Sequence, residues 1–326
     1  MFSMKQNKSE LLSVVVPVFN ESGSIIEFNK QLFDTLEKLG IETEVIYVDD
    51  GSLDDSIGNI KSLHEPNIKL VSLSRNFGKE IALSAGIAEA KGDAIIMIDA
   101  DGQHPVELIP RFLDEWQKGS KVVIGVRTNE KVNSFFNTFS SRIFYKLFNL
   151  FSDQKLIPGS TDYRLIDRAV ADEFKSMSEP DRMTRLLIDW IGFKRTYIKF
   201  KAKVRIHGKP TYSKKLLLKL ALDSIVSMTQ APLYLFAYLG IFISILSGII
   251  GFIIFLEQIF LNDPLNWNFT GTALLGILII FLVGIVLMSQ GIMSLYIAKI
   301  FNQSKGRPLY VVDHERSVGI ISKKIS

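Results

Sequence analysis

Two long stretches without a charged residue, both in the last third of the chain, constrain the fold more than any other feature. They cover residues 233–256 and 264–298. Each exceeds the roughly 20 residues with which an α-helix crosses about 30 Å of hydrocarbon. The alternative is two buried helices of a soluble protein, but a buried core helix of this length normally keeps a polar stripe, and neither stretch has one. The pattern therefore predicts two transmembrane helices, at about 233–256 and 271–298.

The charges that flank these stretches predict the orientation of the chain. Six cationic residues lie outside the pair, namely Lys214, Lys215, Lys219, Lys299, Lys305 and Arg307. The connector at 257–269 has two acidic residues and no Lys or Arg, and its Trp267 is suited to the membrane interface. Because Lys and Arg are enriched on the cytoplasmic side of membrane proteins, we expect a multi-pass plasma-membrane protein with both termini in the cytoplasm.

The composition excludes several classes of protein. The chain has no cysteine, which excludes disulfides, zinc–thiolate sites and thiol catalysis. Its net charge of +4 is modest, so no nucleic-acid partner is expected. Residues 1–12 are polar and contain no apolar segment, so we expect no cleavable signal peptide.

The first two thirds of the chain alternate apolar runs with amphipathic segments, which is typical of a parallel sheet with crossover helices. Acidic residues follow two of the runs: Asp49 and Asp50 follow one, and Asp99 and Asp101 follow another. Ligands bind at the carboxyl ends of the strands in open α/β sheets, so we expect a site there. The predicted strands are 12–17, 44–48, 68–73, 93–98 and 122–126, and the predicted helices include 24–39 and 82–90.

The spacing of Asp99 and Asp101 suggests a metal site. In extended backbone, residues two apart project to the same side, and two carboxylates that converge there repel each other unless a cation lies between them. Oxygen ligands suit Mg²⁺ or Mn²⁺, which commonly bridge carboxylates to diphosphate oxygens. Such an ion stabilises the charge on a departing diphosphate. A D-x-D pair alone, however, occurs by chance in many loops.

Five motifs give these acids a context. Residues 16–21 (VPVFNE), 49–52 (DDGS) and 99–105 (DADGQHP) follow the first, second and fourth predicted strands. This ordered set resembles the family-2 glycosyltransferases of the GT-A fold. Residues 74–80 (SRNFGKE) and 161–168 (TDYRLIDR), together with the two C-terminal spans, resemble the polyprenyl-phosphate glycosyltransferases. That group includes dolichol-phosphate mannose synthase-like enzymes and bactoprenol glucosyltransferases, and the resemblance covers nearly the whole chain.

The resemblance implies an architecture and an activity. It implies an α/β, Rossmann-like GT-A domain with a mostly parallel sheet at 1–228, a membrane domain at 229–304 and a cytoplasmic tail at 305–326. It also implies inverting transfer of a sugar from a nucleotide diphosphate sugar to undecaprenyl or another polyprenyl phosphate, for glycosylation of the cell surface. The similarity to bactoprenol enzymes favours a UDP-sugar, with glucose and GlcNAc both open. Members of the family include tetramers, so a homo-oligomer is compatible with the resemblance.

The resemblance also assigns residues to the donor. Those expected to bind the nucleotide sugar are Pro17, Phe19, Glu21, Asp49, Asp50, Lys79, Asp99 and Gln103. Asp99 and Asp101 are expected to hold Mg²⁺ or Mn²⁺, which makes Asp101 a catalytic residue, and His104 is expected to be structural. Two alternatives stay open: a capped turn for Asp49 and Asp50, and a solvated lysine at a helix start for Lys79.

The acceptor needs little activation, because the second pKa of a phosphate monoester lies near 6. Asp162 matches the candidate base of the family. We assign it orientation of the acceptor or residual proton acceptance, with an N-cap of a helix over 163–174 as the alternative. Four cations match positions that contact lipid phosphate or close over it: Arg127, Arg142, Arg205 and Lys209.

Two points about these cations stay open. Pro210 and Thr211 replace the more usual Ser-Lys beside Lys209, and ordinary attraction to a membrane surface, worth about 1 kcal/mol per charge, is the alternative for each cation. Around Arg142, residues 134–152 have apolar positions at i, i+4 spacing. They are expected to form a helix that either lies in the membrane interface or packs on the sheet.

The sequence disfavours three rival functions. A processive polysaccharide synthase needs a Q-x-x-R-W motif, which the nearest stretch, 185–190 (RLLIDW), does not supply. A non-catalytic membrane scaffold is disfavoured because every expected carboxylate is present. A nicotinamide dehydrogenase needs G-x-G-x-x-G after the first strand, and this sequence is absent there.

Overall fold

The computed structural model describes residues 10–128, 157, 159–180, 182–201 and 271–320, together with six isolated positions between 238 and 249. The described residues belong to two compact units. One unit contains those up to residue 201 and those from Arg307 onward, and the other contains those between.

The elements of the described part are as follows. The strands are Leu11–Val18 (β1), Glu42–Asp49 (β2), Ile68–Ser72 (β3), Ala94–Met97 (β4), Val122–Arg127 (β5), Ser160–Asp167 (β6) and Arg195–Phe200 (β7). The α-helices are Ile25–Leu36 (α1), Ser56–Lys61 (α2), Lys79–Glu89 (α3), Ile109–Gln117 (α4), Arg168–Ser176 (α5), Thr184–Ile191 (α6) and Gly271–Ser304 (α7). Short 3₁₀ turns lie at Glu37–Leu39 and Val106–Leu108.

The strands form one sheet in the order β3-β2-β1-β4-β6-β5-β7. Neighbouring strands are parallel except around β6, which runs antiparallel to both β4 and β5. Helices cover both faces, so the central strands read as continuous apolar runs. In β1, for example, Val14 and Val16 pack with α1 and α4, whereas Val15 packs with α3 on the other face.

The five predicted strands are confirmed, each with ends within two residues of the predicted ones. Two strands, β6 and β7, were not predicted. The interpretation of Asp162 as an N-cap of a helix over 163–174 is wrong, because Asp162 lies within β6. Helix α5 begins later, where the carboxylate of Asp167 accepts a hydrogen bond from the backbone N–H of Ala169 at 3.0 Å.

Helix α3 lies close against the sheet because of one glycine. A Cβ atom on Gly86 would lie 2.3 Å from Cγ1 of Val15 in β1 and 3.0 Å from Cγ2 of Val48 in β2. No larger residue fits without moving the helix, since buried side chains are already close-packed. The position of Gly86 therefore determines where the first residues of α3 lie.

The Gly86→Ala variant is expected to unfold more readily than the parent by about 1–3 kcal/mol, the usual cost of overpacking a core. It should also lose activity, since α3 carries Lys79 into the site described below. Thermal unfolding of the purified full chain in detergent measures the first effect. Ala88→Ser is the matched control, because Ala88 is exposed on the same helix. Equal melting temperatures for the two variants would contradict the packing argument.

The C-terminal residues pack along the outer edge of the sheet. Val318 forms an antiparallel bridge with Leu70 of β3, and Val312 forms one with Leu73 just after it. Tyr310 packs against the core on the α3 face. An edge covered in this way is protected from pairing with other chains. From the sequence, these residues were expected to form a tail, and their pairing with the sheet was not predicted.

The second predicted span, 271–298, lies within α7, whose residues Leu282–Ser304 are long and apolar enough to cross a membrane. No other helix in the described part meets that test. Several predictions fall outside the described residues: most of the span at 233–256, the connector with Trp267, the helix at 134–152, and Arg142, Arg205 and Lys209. They stay predictions.

Candidate active site

Acidic residues from three strands meet at one edge of the sheet. Asp49 ends β2, and Asp99 follows β4 by two residues. Strand β6 runs antiparallel to β4, with Met97 opposite Arg164. Continued by two residues, that register places Asp99 opposite Asp162. The site predicted at the carboxyl ends of the strands is therefore completed by a strand that enters from the same edge.

Lys79 joins two of these carboxylates. Its Nζ atom lies 2.7 Å from Oδ1 of Asp99 and 3.1 Å from Oδ2 of Asp162. Burial alone would lower the pKa of Lys79, but the charges of Asp99 and Asp162 outweigh it and raise that pKa well above its ordinary value. Burial would likewise raise the pKa of Asp162, yet Lys79 and Arg185 hold it below its usual range. Near neutral pH, Lys79 is charged and Asp162 is ionised.

Asp101 lies two residues beyond Asp99 and is buried. Its Oδ1 atom accepts a hydrogen bond from the backbone N–H of Gln103 at 3.0 Å, which tightens the turn. Within the described ranges, no group of three or more acidic, His or Cys side chains is placed to hold a metal ion. A divalent ion at Asp99 and Asp101 would need more oxygens from its substrate, and Mg²⁺ commonly binds through one or two carboxylates plus phosphates. The donor set fits such an ion.

Asp49 and Asp50 have protein partners. Asp49 is buried and accepts hydrogen bonds from Ser52 and Ser72. Asp50 accepts from the backbone N–H groups of Phe77 and Gly78, at 2.7 and 2.9 Å. Burial raises the pKa of Asp50, and these two bonds only partly offset that effect. Both acids therefore shape the loop, and their contact with a nucleotide stays a prediction.

The DDGS turn and the loop that contains Arg75 pass close to each other. A Cβ atom on Gly51, whose φ is +72°, would lie 2.6 Å from the backbone carbon of Arg75. Glycine both permits the left-handed conformation and leaves room for the second loop. The DDGS turn and residues 74–78 therefore hold each other in place, directly before Lys79.

The first loop, after β1, presents an aromatic ring. Phe19 is 41% exposed at the end of the strand that contains Pro17. Glu21 is turned toward the protein, where its Oε2 accepts a hydrogen bond from the hydroxyl of Ser24 at 2.5 Å. The loop is tied to the DDGS turn through the N–H of Asn20, which donates to Oγ of Ser52 at 3.0 Å. The exposed ring is suited to stack on a flat ligand.

His104 has the environment of a structural residue, as expected. Its ring stacks on Tyr163 at 5.1 Å and meets Phe200 edge-on at 5.8 Å. Burial lowers the pKa of His104, although the charge of Asp99 opposes that effect. The ring is therefore neutral near pH 7, and its Nδ1 atom faces the backbone N–H of Asp99 at 3.4 Å.

Arg127 lies at the same edge of the sheet. It is the exposed last residue of β5, and its backbone N–H donates to the carbonyl of Gly159 at 2.8 Å. Of the four cations assigned to the acceptor, it alone falls within the described residues.

Two charged residues beside Asp162 were not predicted from the sequence. Glu80 follows Lys79 and accepts a hydrogen bond from the backbone N–H of Thr184 at 2.8 Å. Burial and the charge of Asp162 raise the pKa of Glu80. Arg185 follows Thr184, at the start of the stretch 185–190, which lacks the Q-x-x-R-W motif. The only sign of these residues in the sequence was the acidic residue directly after Lys79. Its contact with Thr184 could not be predicted, because that contact depends on where α6 lies in the fold.

The strand order, the single reversed strand β6 and the acidic carboxyl edge define an α/β fold of the GT-A type. The family model "Glycosyl transferase family 2" matches residues 13–174. Among solved structures, mannosyl-3-phosphoglycerate synthase from Rubrobacter xylanophilus is similar with a TM-score of 0.50 and 18% identity. It matches over 67% of this chain and 74% of that one. At that identity, the likeness concerns the fold alone.

Two curated relatives extend along nearly the whole chain. The uncharacterized glycosyltransferase YkcC of Bacillus subtilis is 36% identical, over 96% of both chains. The bactoprenol glucosyl transferase of Shigella phage SfV is 33% identical, over 94% of this chain and 99% of that one. The chain thus belongs to glycosyl transferase family 2, and it is a glycosyltransferase.

The Asp50→Asn variant tests the loop. An amide offers one acceptor atom in place of two, so one N–H of Phe77 or Gly78 loses its partner, at a cost of about 1–3 kcal/mol. We expect a lower melting temperature and a raised KM for the donor. Asp55→Asn removes a charge from an exposed residue of the neighbouring loop and should leave both values unchanged. An unchanged donor KM in Asp50→Asn would contradict the role given to Asp50.

Proposed function

We propose that this protein transfers a sugar from a nucleotide diphosphate sugar to undecaprenyl or another polyprenyl phosphate, at the cytoplasmic face of the plasma membrane. The observation that carries the proposal is the single ammonium of Lys79 between Asp99 and Asp162. The similarity to the phage bactoprenol glucosyl transferase, over 94% of the chain, supports the choice of acceptor. That relative also favours UDP-glucose as the donor, with UDP-GlcNAc as the second candidate.

The donor half of the site lies around Asp99 and Asp101. Mg²⁺ or Mn²⁺ held there supplies charge compensation for the diphosphate leaving group. Asp101, through this role, is the catalytic residue on the donor side, and Gln103 is proposed to contact the donor beside it. Lys79 stays charged and can stabilise the negative charge that develops on the leaving oxygen. Pro17, Phe19, Glu21, Asp49 and Asp50 are proposed to bind the nucleotide.

The acceptor half lies around Asp162. In the reaction an acceptor phosphate oxygen forms a bond to C1 of the sugar while the bond from C1 to the nucleotide diphosphate breaks, with inversion. Because Lys79 holds the pKa of Asp162 below its usual range, this carboxylate is a weak proton acceptor. The acceptor oxygen is largely deprotonated near neutral pH. Asp162 therefore orients the acceptor rather than deprotonating it.

The membrane half of the proposal rests on the sequence and on α7. Two spans, at 233–256 and 271–298, would anchor the catalytic domain to the leaflet that contains the lipid. Arg127, Arg142, Arg205 and Lys209 would gather the lipid phosphate, and a tetramer is compatible with this arrangement. A processive synthase has less support, because 185–190 lacks the motif that such an enzyme needs.

A panel of donors tests the proposal. The purified full chain is given undecaprenyl phosphate, Mg²⁺ or Mn²⁺, and radiolabelled UDP-glucose, UDP-GlcNAc or GDP-mannose in turn. We expect one donor, a UDP-sugar, to label the lipid, and we expect EDTA to abolish the labelling. Label in a growing polymer would favour the processive alternative. No labelled lipid with any donor would favour the non-catalytic scaffold.

Substitutions separate the two halves of the site. Asp101→Asn should lower kcat by about 100-fold or more, because it removes charge compensation of the leaving group. It should also raise the metal concentration needed for half-maximal rate. Asp162→Asn should raise the KM for undecaprenyl phosphate and leave the metal requirement unchanged. Asp114→Asn, on the exposed side of α4, is the control. An unchanged rate in Asp101→Asn would contradict the metal assignment.

A further inference from the structure

The start of α6 is fixed beside Asp162 from two sides. On one side, Glu80 accepts the backbone N–H of Thr184 at 2.8 Å. On the other, the buried guanidinium of Arg164 donates to the backbone carbonyl of Arg185 at 3.1 Å. Arg164 is itself held by Asp189 at 3.1 Å. The backbone of Arg185 is therefore positioned by two charged side chains, which is more than a surface helix requires.

The side chain of Arg185, in contrast, has no hydrogen bond or ion pair to any residue that the structure describes. Its Nε atom is buried without a partner. Its neighbour Arg182 donates through Nη2 to the carbonyls of Phe174 and Met177, although Nε of Arg182 is also buried without a partner. A buried guanidinium N–H without a partner is costly, since such groups are normally paired or hydrogen-bonded.

Arg185 nevertheless acts on the site through its charge. It is among the groups that lower the pKa of Asp162, and it partly offsets the rise that burial causes in the pKa of Glu80. The guanidinium therefore lies within electrostatic reach of both carboxylates.

Other buried polar atoms around the start of α6 also lack hydrogen-bond partners among the described residues. They include the hydroxyl oxygen of Thr184, Oδ1 of Asp162 and Nη2 of Arg164, and the Thr184 hydroxyl lies close to the carboxylate of Glu80. Each unmade hydrogen bond of this kind costs about 1–3 kcal/mol. Arg185 and Thr184 therefore offer hydrogen-bond donors to a ligand beside Asp162. A phosphate monoester matches these donors, because its oxygens accept hydrogen bonds from Arg and Thr.

We propose that Arg185, with Thr184, binds the phosphate of the acceptor lipid beside Asp162. The inference rests on the proposed function, whose acceptor it refines. The planar fork of a guanidinium suits phosphate oxygens better than a lysine ammonium does. The donor diphosphate has the same chemistry, but it is assigned to the opposite side of Lys79, at Asp99 and Asp101. The two sources are therefore separable by experiment.

Binding measurements test the assignment without requiring turnover. The affinity of the full chain in detergent is measured for undecaprenyl phosphate, for undecaprenol, which lacks the phosphate, and for the nucleotide sugar. Arg185→Ala should weaken binding of undecaprenyl phosphate by about 10- to 100-fold, the range for a lost charge-assisted hydrogen bond. Binding of undecaprenol and of the nucleotide sugar should not change, and the latter also shows that the variant is folded.

Arg185→Lys keeps the charge and should lie between the parent and Arg185→Ala. Glu80→Gln keeps an oxygen for the N–H of Thr184 but removes a negative charge beside the guanidinium, so it should strengthen binding of undecaprenyl phosphate by a few-fold. If Arg185 and Glu80 had a purely structural role, Arg185→Lys and Glu80→Gln would both weaken binding of undecaprenyl phosphate. Lys194→Ala, which removes an exposed cation that follows α6, is the matched control.

Two outcomes overturn the inference. One is unchanged affinity for undecaprenyl phosphate in Arg185→Ala. The other is a loss confined to the nucleotide sugar, which would move Arg185 to the donor. Either outcome leaves the proposed function intact if the unmodified chain still labels the lipid. A chain that labels no lipid fails as a polyprenyl-phosphate glycosyltransferase whatever Arg185 binds.

Discussion

The ion pairs of Lys79 are the constraint on which the rest of the site depends. Asp99 and Asp162 come from antiparallel neighbours in the sheet, and their carboxylates would repel each other without the ammonium between them. Lys79 is the first residue of α3, so packing decides where its charge lies. Gly86 brings the helix against β1, and Asp50 fixes the two residues before Lys79. The packing of the core therefore determines where the charge of Lys79 lies in the active site.

The same arrangement divides the edge of the sheet into two halves. On one side of Lys79, Asp99 and Asp101 are suited to a divalent ion and a diphosphate. On the other, Asp162 interacts electrostatically with Glu80 and Arg185, which come from two different helices. Since the pKa of Asp162 is held low, its chemical use is to orient an acceptor that is already an anion. A site whose carboxylate is a weak base is therefore suited to a phosphate acceptor, which needs no deprotonation.

Local patterns were sufficient to predict part of this structure. The apolar runs of β1 to β5 and the acids that follow β2 and β4 are contiguous in sequence, so their period and spacing identify them. Strand β6 was missed, and Asp162 was given the alternative of a helix cap, because pairing with β4 is a long-range contact. The partners of Lys79 and Arg185 depend on that same pairing. Arg142, Arg205 and Lys209 lie outside the described residues and stay predictions.

The most direct measurement of the central claim is the phosphorus NMR spectrum of the product. The full chain in nanodiscs is supplied with undecaprenyl phosphate and its preferred nucleotide sugar, and the extracted lipid and the released nucleotide are both recorded. The account predicts one phosphodiester resonance in the lipid and a nucleoside diphosphate in solution, because the sugar alone is transferred. A diphosphate in the lipid with a nucleoside monophosphate in solution would show transfer of a sugar phosphate and would contradict the account.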